Sequence, residues 1–176
     1  MSLMIKHLLP YLGVIAICNS CGVYSFTGAS ISPDINTISI QTFYNNAPLG
    51  PSNMSQLFTE KIKDYYTQNT QLTIVDGEGD LQLEGVIENY TVTPVAAGAA
   101  QNANTVEFAS LTRVTIYVSA TYINTQDDTY DFSRSFSWQV DFDQNTQDLA
   151  SNEEDFVNEI FDQIILDIFN SSVANW

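Results

Sequence analysis

Apolar and polar residues alternate along two stretches in the second half of the chain, 108–124 and 130–142. The apolar positions of the first stretch are Val114, Ile116, Val118, Ala120 and Tyr122. Those of the second stretch are Tyr130, Phe132, Phe136, Trp138, Val140 and Phe142. A period of two is typical of strands that bury one face of an antiparallel sheet. The two stretches therefore predict a β-hairpin with one covered face.

Two other stretches have apolar residues at helical spacing. The first begins after Ser52 or Asn53, either of which can cap a helix, and has apolar residues at Met54, Leu57, Phe58, Ile62, Tyr65 and Tyr66. The second begins near Ser151 and Glu154, which have the spacing of a capping box, and runs to Ala174. Its residues Phe156, Ile160, Ile164 and Ile168 recur every four positions. We expect both apolar stripes to pack on the apolar face of the sheet.

Three further strands complete the predicted fold. Residues 35–44 and 72–75 give two of them, and residues 81–95 give a longer one whose alternation slips near Gly85, which predicts a bulge. Residues 96–104 are small and polar and predict a loop. The order of elements, β-α-β-β-β-β-α, predicts an α+β fold with two helices on one face of a mainly antiparallel sheet of about four to five strands.

The first twenty residues have the layout of a lipoprotein signal peptide. Lys6 and His7 precede an apolar run at 8–17 that is shorter than the ~20 residues needed to span a bilayer. Ser20 before Cys21 is the small residue that a lipoprotein peptidase needs. This pattern predicts a signal peptide at 1–20, diacylglycerol and N-acyl chains on Cys21, a lipidated leader at 21–34 and a single α+β domain at 35–176.

Two other interpretations of the first 21 residues remain, namely a buried core helix and a disulfide between Cys18 and Cys21. Pro10 and Gly13 would break such a helix, and cleavage would remove Cys18. Residue 22 is glycine rather than aspartate. We take this as support for an outer-membrane protein that faces the periplasm.

The charge balance restricts the partners of the chain. Five Lys and Arg residues stand against 21 Asp and Glu, a formal net charge of −16. Without residues 1–20, Lys61, Lys63, Arg113 and Arg134 remain against the same 21 acids, so the net charge becomes −17. Such a chain has no basic surface for nucleic-acid phosphates and repels anionic lipid headgroups. The chain must therefore attach to a membrane through hydrophobic contacts or through a covalent lipid.

The residue types also restrict the chemistry. The one histidine, His7, lies in the predicted signal peptide, which excludes histidine-dependent catalysis and His or Cys zinc sites in the mature chain. We therefore predict a protein that is not an enzyme and has no cofactor besides the lipid on Cys21. Asp76, Glu78 and Asp80 form an acidic turn, for which we favour an ordinary solvated turn over a calcium site. A carboxylate-dependent hydrolase stays open and predicts a cleft that holds an acid with a raised pKa.

Arg134 is the one basic residue on the apolar parity of its predicted strand, between Phe132 and Phe136. We favour a side chain that reaches past the rim of the sheet to water, or that pairs with an acid. A contact with an anion is the alternative. Arg113 has the opposite parity, so the two arginines need not converge. Tyr44, Tyr65, Tyr90 and Tyr117 are expected to be exposed and are candidates for a partner surface.

Several segments of the chain resemble one protein family. They are the start at Cys21-Gly22-Val23-Tyr24, the stretch 28–33 with Ile38-Ser39-Ile40, the order of elements and the closing Ala174-Asn175-Trp176. In these respects the chain is similar to a divergent branch of the LptE family of lipopolysaccharide-assembly lipoproteins. The resemblance implies a plug and assembly partner of the outer-membrane β-barrel LptD, with lipopolysaccharide as a possible ligand. It transfers one functional residue, Cys21.

The alternative is another lipoprotein that faces the periplasm, such as an activator of cell-wall synthesis or an envelope assembly factor. An activator that crosses the periplasm needs a linker of tens of residues, at ~3.5 Å each. About a dozen residues separate Cys21 from the first predicted strand. This leader is expected to keep the domain near its membrane.

Overall fold

The computed structural model describes residues 31–95 and 111–173. The predicted signal peptide, Cys21, most of the predicted leader, the loop at 96–104 and residues 174–176 lie outside the described residues. The elements, in chain order, are β1 (Thr37–Ile40), β2 (Tyr44–Asn45), α1 (Met54–Asn69), β3 (Thr73–Ile74), β4 (Leu81–Pro94), β5 (Leu111–Asn124), a 3₁₀ turn (Asp128–Tyr130), β6 (Phe132–Asp143) and α2 (Leu149–Ser172).

Within the described residues these strands form one six-stranded sheet in the order β3-β1-β4-β5-β6, with β2 also beside β4. The long strands β4, β5 and β6 pair antiparallel, whereas β1 runs parallel to β3 and β4, and β2 runs parallel to β4. The predicted α+β class with two helices is confirmed. The sheet is mixed rather than purely antiparallel, because α1 lies between β1 and β4 and returns the chain in the same direction.

Both helices contribute to one apolar core on the same face of the sheet. The alternating residues predicted for β5 are buried, namely Val114, Ile116, Val118, Ala120 and Tyr122. Phe58 of α1 packs edge-on against Phe161 of α2, with ring centroids 4.8 Å apart, and lies 4.9 Å from the ring of Phe43. Phe58 therefore joins both helices to the strand side of the core.

The stripe predicted for α2 is confirmed, but its cap is not the predicted one. Phe156, Ile160, Ile164 and Ile168 are buried. Asp148 caps α2 by accepting a hydrogen bond from the Ser151 backbone N–H at 3.1 Å. The predicted capping box at Ser151 was wrong, because the helix begins at Leu149 and Ser151 lies within its first turn. Asn53 takes the cap position of α1 without a side-chain capping hydrogen bond.

The predicted strand 35–44 is interrupted at residues 41–43, where Phe43 turns into the core and is fully buried. Its backbone groups bond to α1, since Phe43 N–H donates to Thr59 Oγ1 at 3.0 Å and Ser55 Oγ donates to Phe43 C=O at 2.7 Å. Side chains of α1 thus replace the sheet partner that Phe43 lacks, whereas Gln41 N–H still donates to Leu83 C=O at 2.9 Å.

Gly85 of β4 lies against the ring of Phe43. A Cβ atom at this position would lie 2.3 Å from Phe43 Cε1 and 2.3 Å from the Ser119 carbonyl oxygen. The predicted bulge in β4 is confirmed, but the register shift with β5 falls between Ile87 and Asn89 rather than at Gly85. Glycine is required at position 85 by the close approach of a ring and a backbone oxygen.

Neither helix of residues 31–95 and 111–173 combines the length and apolar character that crossing a bilayer demands.

Candidate interaction site

Arg134 lies on β6 at the rim of the sheet and is exposed. Its guanidinium carbon is 5.2 Å from the ring centroid of Phe132 and 4.8 Å from that of Phe136, which are cation–π distances. Its Nη2 donates to Ser171 Oγ on α2. The two rings and Ser171 therefore fix the guanidinium at the edge of the core.

The basic residues of the described chain differ in their partners. Lys61 contacts Asp162 at 2.9 Å and Arg113 contacts Asp141 at 2.6 Å. Within residues 31–95 and 111–173, no carboxylate forms an ion pair with Arg134. The predicted position at the rim is confirmed, and the predicted acidic partner is absent there. A fixed guanidinium that has no carboxylate partner can donate hydrogen bonds to an anionic group of a ligand.

Arg113 occupies the opposite face of the sheet, so the prediction that the two arginines need not converge is confirmed. It makes a two-point contact with Asp141, with Nε–Oδ1 at 2.6 Å and Nη2–Oδ2 at 2.7 Å. Hydrogen bonds from Arg113 hold the pKa of Asp141 below its ordinary value. Arg113 is therefore engaged within the sheet.

The face of the sheet opposite the helices, here called the open face, is polar. It carries Ser133, Ser135, Ser137 and Gln139 of β6, and Thr121 donates or accepts a 2.9 Å hydrogen bond with Ser133 across the strands. A concave region of about 650 Å³ on this face is lined by Gln41, Gln82, Glu84 and Ser119, among others. The residues that line this region can form hydrogen bonds, and they include neither lysine nor arginine.

Asp80, at the end of the acidic turn, has a structural role that the sequence did not indicate. Its Oδ2 accepts the Asn36 and Thr37 backbone N–H groups, both at 3.0 Å, and the Thr37 hydroxyl at 2.8 Å. These bonds hold the pKa of Asp80 below its ordinary value, with the Asn36 backbone N–H as the largest cause. Its carbonyl accepts from Thr125. Asp80 thereby joins the ends of β1, β4 and β5.

The carboxyls with displaced pKa values are hydrogen-bonded groups. Asp80, Asp127 and Asp141 each have a pKa below the ordinary value, and each accepts side-chain or backbone hydrogen bonds. In the part of the chain that the structure describes, no three acidic, histidine or cysteine side chains are placed to hold a metal ion. The acid with a raised pKa that a hydrolase predicts is not among these three carboxyls.

The four tyrosines that were candidates for a partner surface divide into exposed and buried ones. Tyr44 is 68% exposed and Tyr117 is 37% exposed. The expectations for Tyr65 and Tyr90 were wrong. Tyr65 is partly buried, with its ring centroid 5.0 Å from that of Phe169. The ring of Tyr90 is buried, and its hydroxyl donates to Glu153 Oε1 of α2 at 2.9 Å. Trp138 was predicted to be buried and is 42% exposed, because it lies on the outermost long strand.

Comparisons with known proteins give one family and several similar folds. A family model described as LptE, lipopolysaccharide-assembly, matches residues 35–172. No curated protein matches the chain. Among solved structures, a putative neuraminyllactose-binding hemagglutinin homolog from Helicobacter pylori has a TM-score of 0.52 at 9% identity, over 82% of this chain and 87% of that chain. The hypothetical protein CT253 from Chlamydia trachomatis has a TM-score of 0.50 at 10% identity, over 80% of this chain and 99% of that one. These two likenesses show the fold alone.

Proposed function

Because the chain belongs to the LptE family of lipopolysaccharide-assembly proteins, we propose that it is a non-enzymatic lipoprotein of the outer membrane. In this proposal the lipid is attached to Cys21, the domain faces the periplasm, and the protein acts as plug and assembly partner of an LptD-type β-barrel. The family match carries the proposal. It runs from residue 35 to residue 172 and so includes all six described strands and both helices.

The polar open face supports the role of a plug. The interior of an outer-membrane β-barrel is polar, so a domain inside it must present groups that hydrogen-bond to the barrel wall. The open face supplies hydroxyl and amide groups, among them Ser135, Ser137 and Gln139. The helix-covered face is occupied by the apolar core. The open face is therefore the surface that we assign to the barrel wall.

The net charge of −16 suits a barrel whose lumen is basic. Glu78 and Glu84 are exposed and line the concave region of the open face. Changing both residues to lysine should weaken the complex with the barrel, and the loss should depend on salt because exposed charges are screened. The matched control changes both to Gln, which removes charge without reversing it. Binding that does not depend on salt would count against charge matching.

We also propose Arg134 as a contact for an anionic group, with the phosphates of lipopolysaccharide as the first candidate. Its guanidinium has no carboxylate in an ion pair within the described residues, and two rings and Ser171 hold it in place. Arg134→Ala should lower the amount of lipopolysaccharide recovered with the protein by about tenfold, as the loss of one charge-assisted hydrogen bond predicts. Arg113→Ala is the control, because Arg113 is bound to Asp141. Equal losses would remove Arg134 as a specific contact.

The experiment that tests the function is affinity purification of the full-length lipidated protein from native outer membranes, followed by mass spectrometry. A large β-barrel at equal stoichiometry is the expected result. Cys21→Ala should abolish acylation and recovery of the barrel, whereas Cys18→Ala should change neither, because cleavage before Cys21 removes residue 18. If the protein is recovered alone, or with cell-wall synthases, the alternative of another periplasm-facing lipoprotein replaces this proposal.

A further inference from the structure

β6 is a long edge strand with little of the usual protection against pairing. It has twelve residues, and within the described residues its only partner strand is β5. The strand contains neither proline nor lysine, and its register with β5 is continuous from Phe132 to Asp143. Native edges are commonly blocked by such residues, by bulges, by short length or by inward-pointing charges, and of these devices β6 has the inward-pointing charge of Arg134. The opposite edge, β3, has only two residues.

β6 is also a nearly neutral part of a strongly acidic molecule. Its charged residues are Arg134, Asp141 and Asp143, and Arg113 of β5 binds Asp141. With Glu88 of β4, which accepts a hydrogen bond from Ser135 at 3.4 Å, the edge has two positive and three negative charges, whereas the whole chain has a net charge of −16. Two copies of the chain repel each other over most of their surface, and this repulsion is weaker along β6. The charge distribution therefore favours a second copy as the occupant of this edge.

We propose that β6 pairs antiparallel with β6 of a second copy, with Trp138 on the two-fold axis. In this register Ser135 faces Asp141 of the other copy, and Ser133 faces its Asp143. Arg134 faces the aromatic ring of Phe142. No like charges are opposed, whereas a shift that places Ser137 on the axis opposes Asp131 and Asp143. Like charges directly opposite each other destabilise a strand pair, so the first register is selected.

The exposure of Trp138 agrees with this pairing. Trp138 lies opposite Ile116, on the face that the helices cover, yet it is 42% exposed. On the axis, its ring packs against the same ring of the second copy. A closed, two-fold contact of this kind uses the same surface on both partners. This inference does not depend on the barrel and goes beyond the proposed function.

The first test is sedimentation equilibrium of the mature, lipidated, full-length protein in detergent over a wide range of concentration. The wild-type chain should dimerise. The register places Ser137 opposite Gln139 of the other copy, and both residues are exposed. Ser137→Glu with Gln139→Glu therefore opposes two pairs of like charges, and should weaken the dimer by about tenfold or more.

The matched variant is Ser137→Lys with Gln139→Glu, which creates two opposite-charge pairs in the same register and should restore or strengthen the dimer. Thr91→Glu with Thr93→Glu is the control for added charge, because it places two acids at the same spacing on an inner strand, β4. This control should weaken the dimer far less than the double glutamate variant of β6. Equal behaviour of the two β6 variants would overturn the register.

The second test uses a cysteine at the axis. Trp138→Cys places two thiols opposite each other, with Cα atoms about 4.5–5.5 Å apart, which is within disulfide range. It should cross-link on oxidation, whereas Val92→Cys on β4 should not. Added salt should strengthen the wild-type dimer by screening the repulsion between two acidic chains. A monomer at all concentrations would overturn the proposal, and so would an edge whose variants lose only the barrel, because a strand of another protein would then occupy β6. If no barrel is recovered with the wild-type protein while the β6 variants change the dimer as expected, only the proposed function is contradicted.

Discussion

The two halves of the sheet are held together by different means. The antiparallel half, β4 to β6, is a ladder in which long strands pair residue by residue, apart from the register shift between Ile87 and Asn89. The parallel half, β1 to β3, has strands of four residues or two, and side chains complete its backbone hydrogen bonds. Asp80 bonds to the start of β1, and Thr59 bonds to Phe43 after its end. Short parallel strands therefore depend on particular side chains, whereas long antiparallel strands depend on their pattern.

The largest expected effect comes from the contact that joins the two halves. Gly85→Ala places a methyl group 2.3 Å from both the Phe43 ring and the Ser119 carbonyl oxygen. We expect a loss of about 3 kcal/mol or more in the free energy of unfolding, because both neighbours are packed. Urea denaturation measures the loss.

Gly77→Ala is the control for Gly85→Ala, since no atom lies within 4 Å of the added Cβ. Adding Phe43→Leu to Gly85→Ala should recover part of the loss, because the smaller side chain gives room to the methyl group. Full additivity of the two substitutions would show that the ring of Phe43 is not the source of the strain.

The second-largest effect is expected at the side chains that complete the backbone hydrogen bonds of the parallel half. Thr59→Val keeps the shape of a buried side chain but removes the acceptor of the Phe43 N–H. The unsatisfied amide should cost about 1–3 kcal/mol in the free energy of unfolding. In the antiparallel half, Thr121→Val removes an exposed hydroxyl contact with Ser133 and should have a much smaller effect. Equal losses at the two sites would contradict the comparison between the halves.

Asp80 makes the parallel half sensitive to acid. The pKa of Asp80 is lowered in the folded protein, so its contribution to stability is fully present above the ordinary carboxyl pKa of about 4. This contribution is lost as the pH falls through the lower folded value. Asp80→Asn should therefore destabilise the protein at neutral pH and flatten the acid limb of a thermal-melting profile. Asp76→Asn, at an exposed position of the same turn, should leave that limb unchanged.

The smallest effect is expected at the surface of the antiparallel half. Asp141→Asn breaks the two-point contact with Arg113, which lies on the open face. The ladder between β5 and β6 remains, and ion pairs at a surface are screened by salt. Thermal melting at low and high salt should show a small loss that disappears as salt is added. A large loss at high salt would mean that the ladder depends on this ion pair.

The same division explains what the sequence could predict. The alternation from Val114 to Tyr122 follows from local pattern and burial, and the structure confirms it. The buried stripe of α2, from Phe156 to Ile168, also follows from local pattern and is also confirmed. Pattern did not reveal the interruption before Tyr44, because the turn of Phe43 into the core depends on Thr59 and Gly85, which are distant in sequence.

Similar limits apply to the candidate site. The parity of Arg134 predicted its place at the rim, and the structure confirms that place. The exposure of Trp138 depends on the strand order, which places β6 at the edge of the sheet, and alternation does not encode strand order. The burial of Tyr90 required knowledge that Glu153 of α2 lies above β4. The role of Asp80 required the pairing of β1 with β4, which a single sequence does not show.

The parallel pairing of β1 with β4 has a kinetic consequence. Ile38 faces Leu81 across a large separation in sequence, whereas Tyr122 and Phe132 face each other across a short turn. Closing a long loop costs more chain entropy, so we expect β5 and β6 to pair early and β1 to join late. Substitutions at Asp80 and Gly85 should then accelerate unfolding and leave the refolding rate nearly unchanged. The time for which the native state persists would be set by the short parallel strands, although the long ones form most of the sheet.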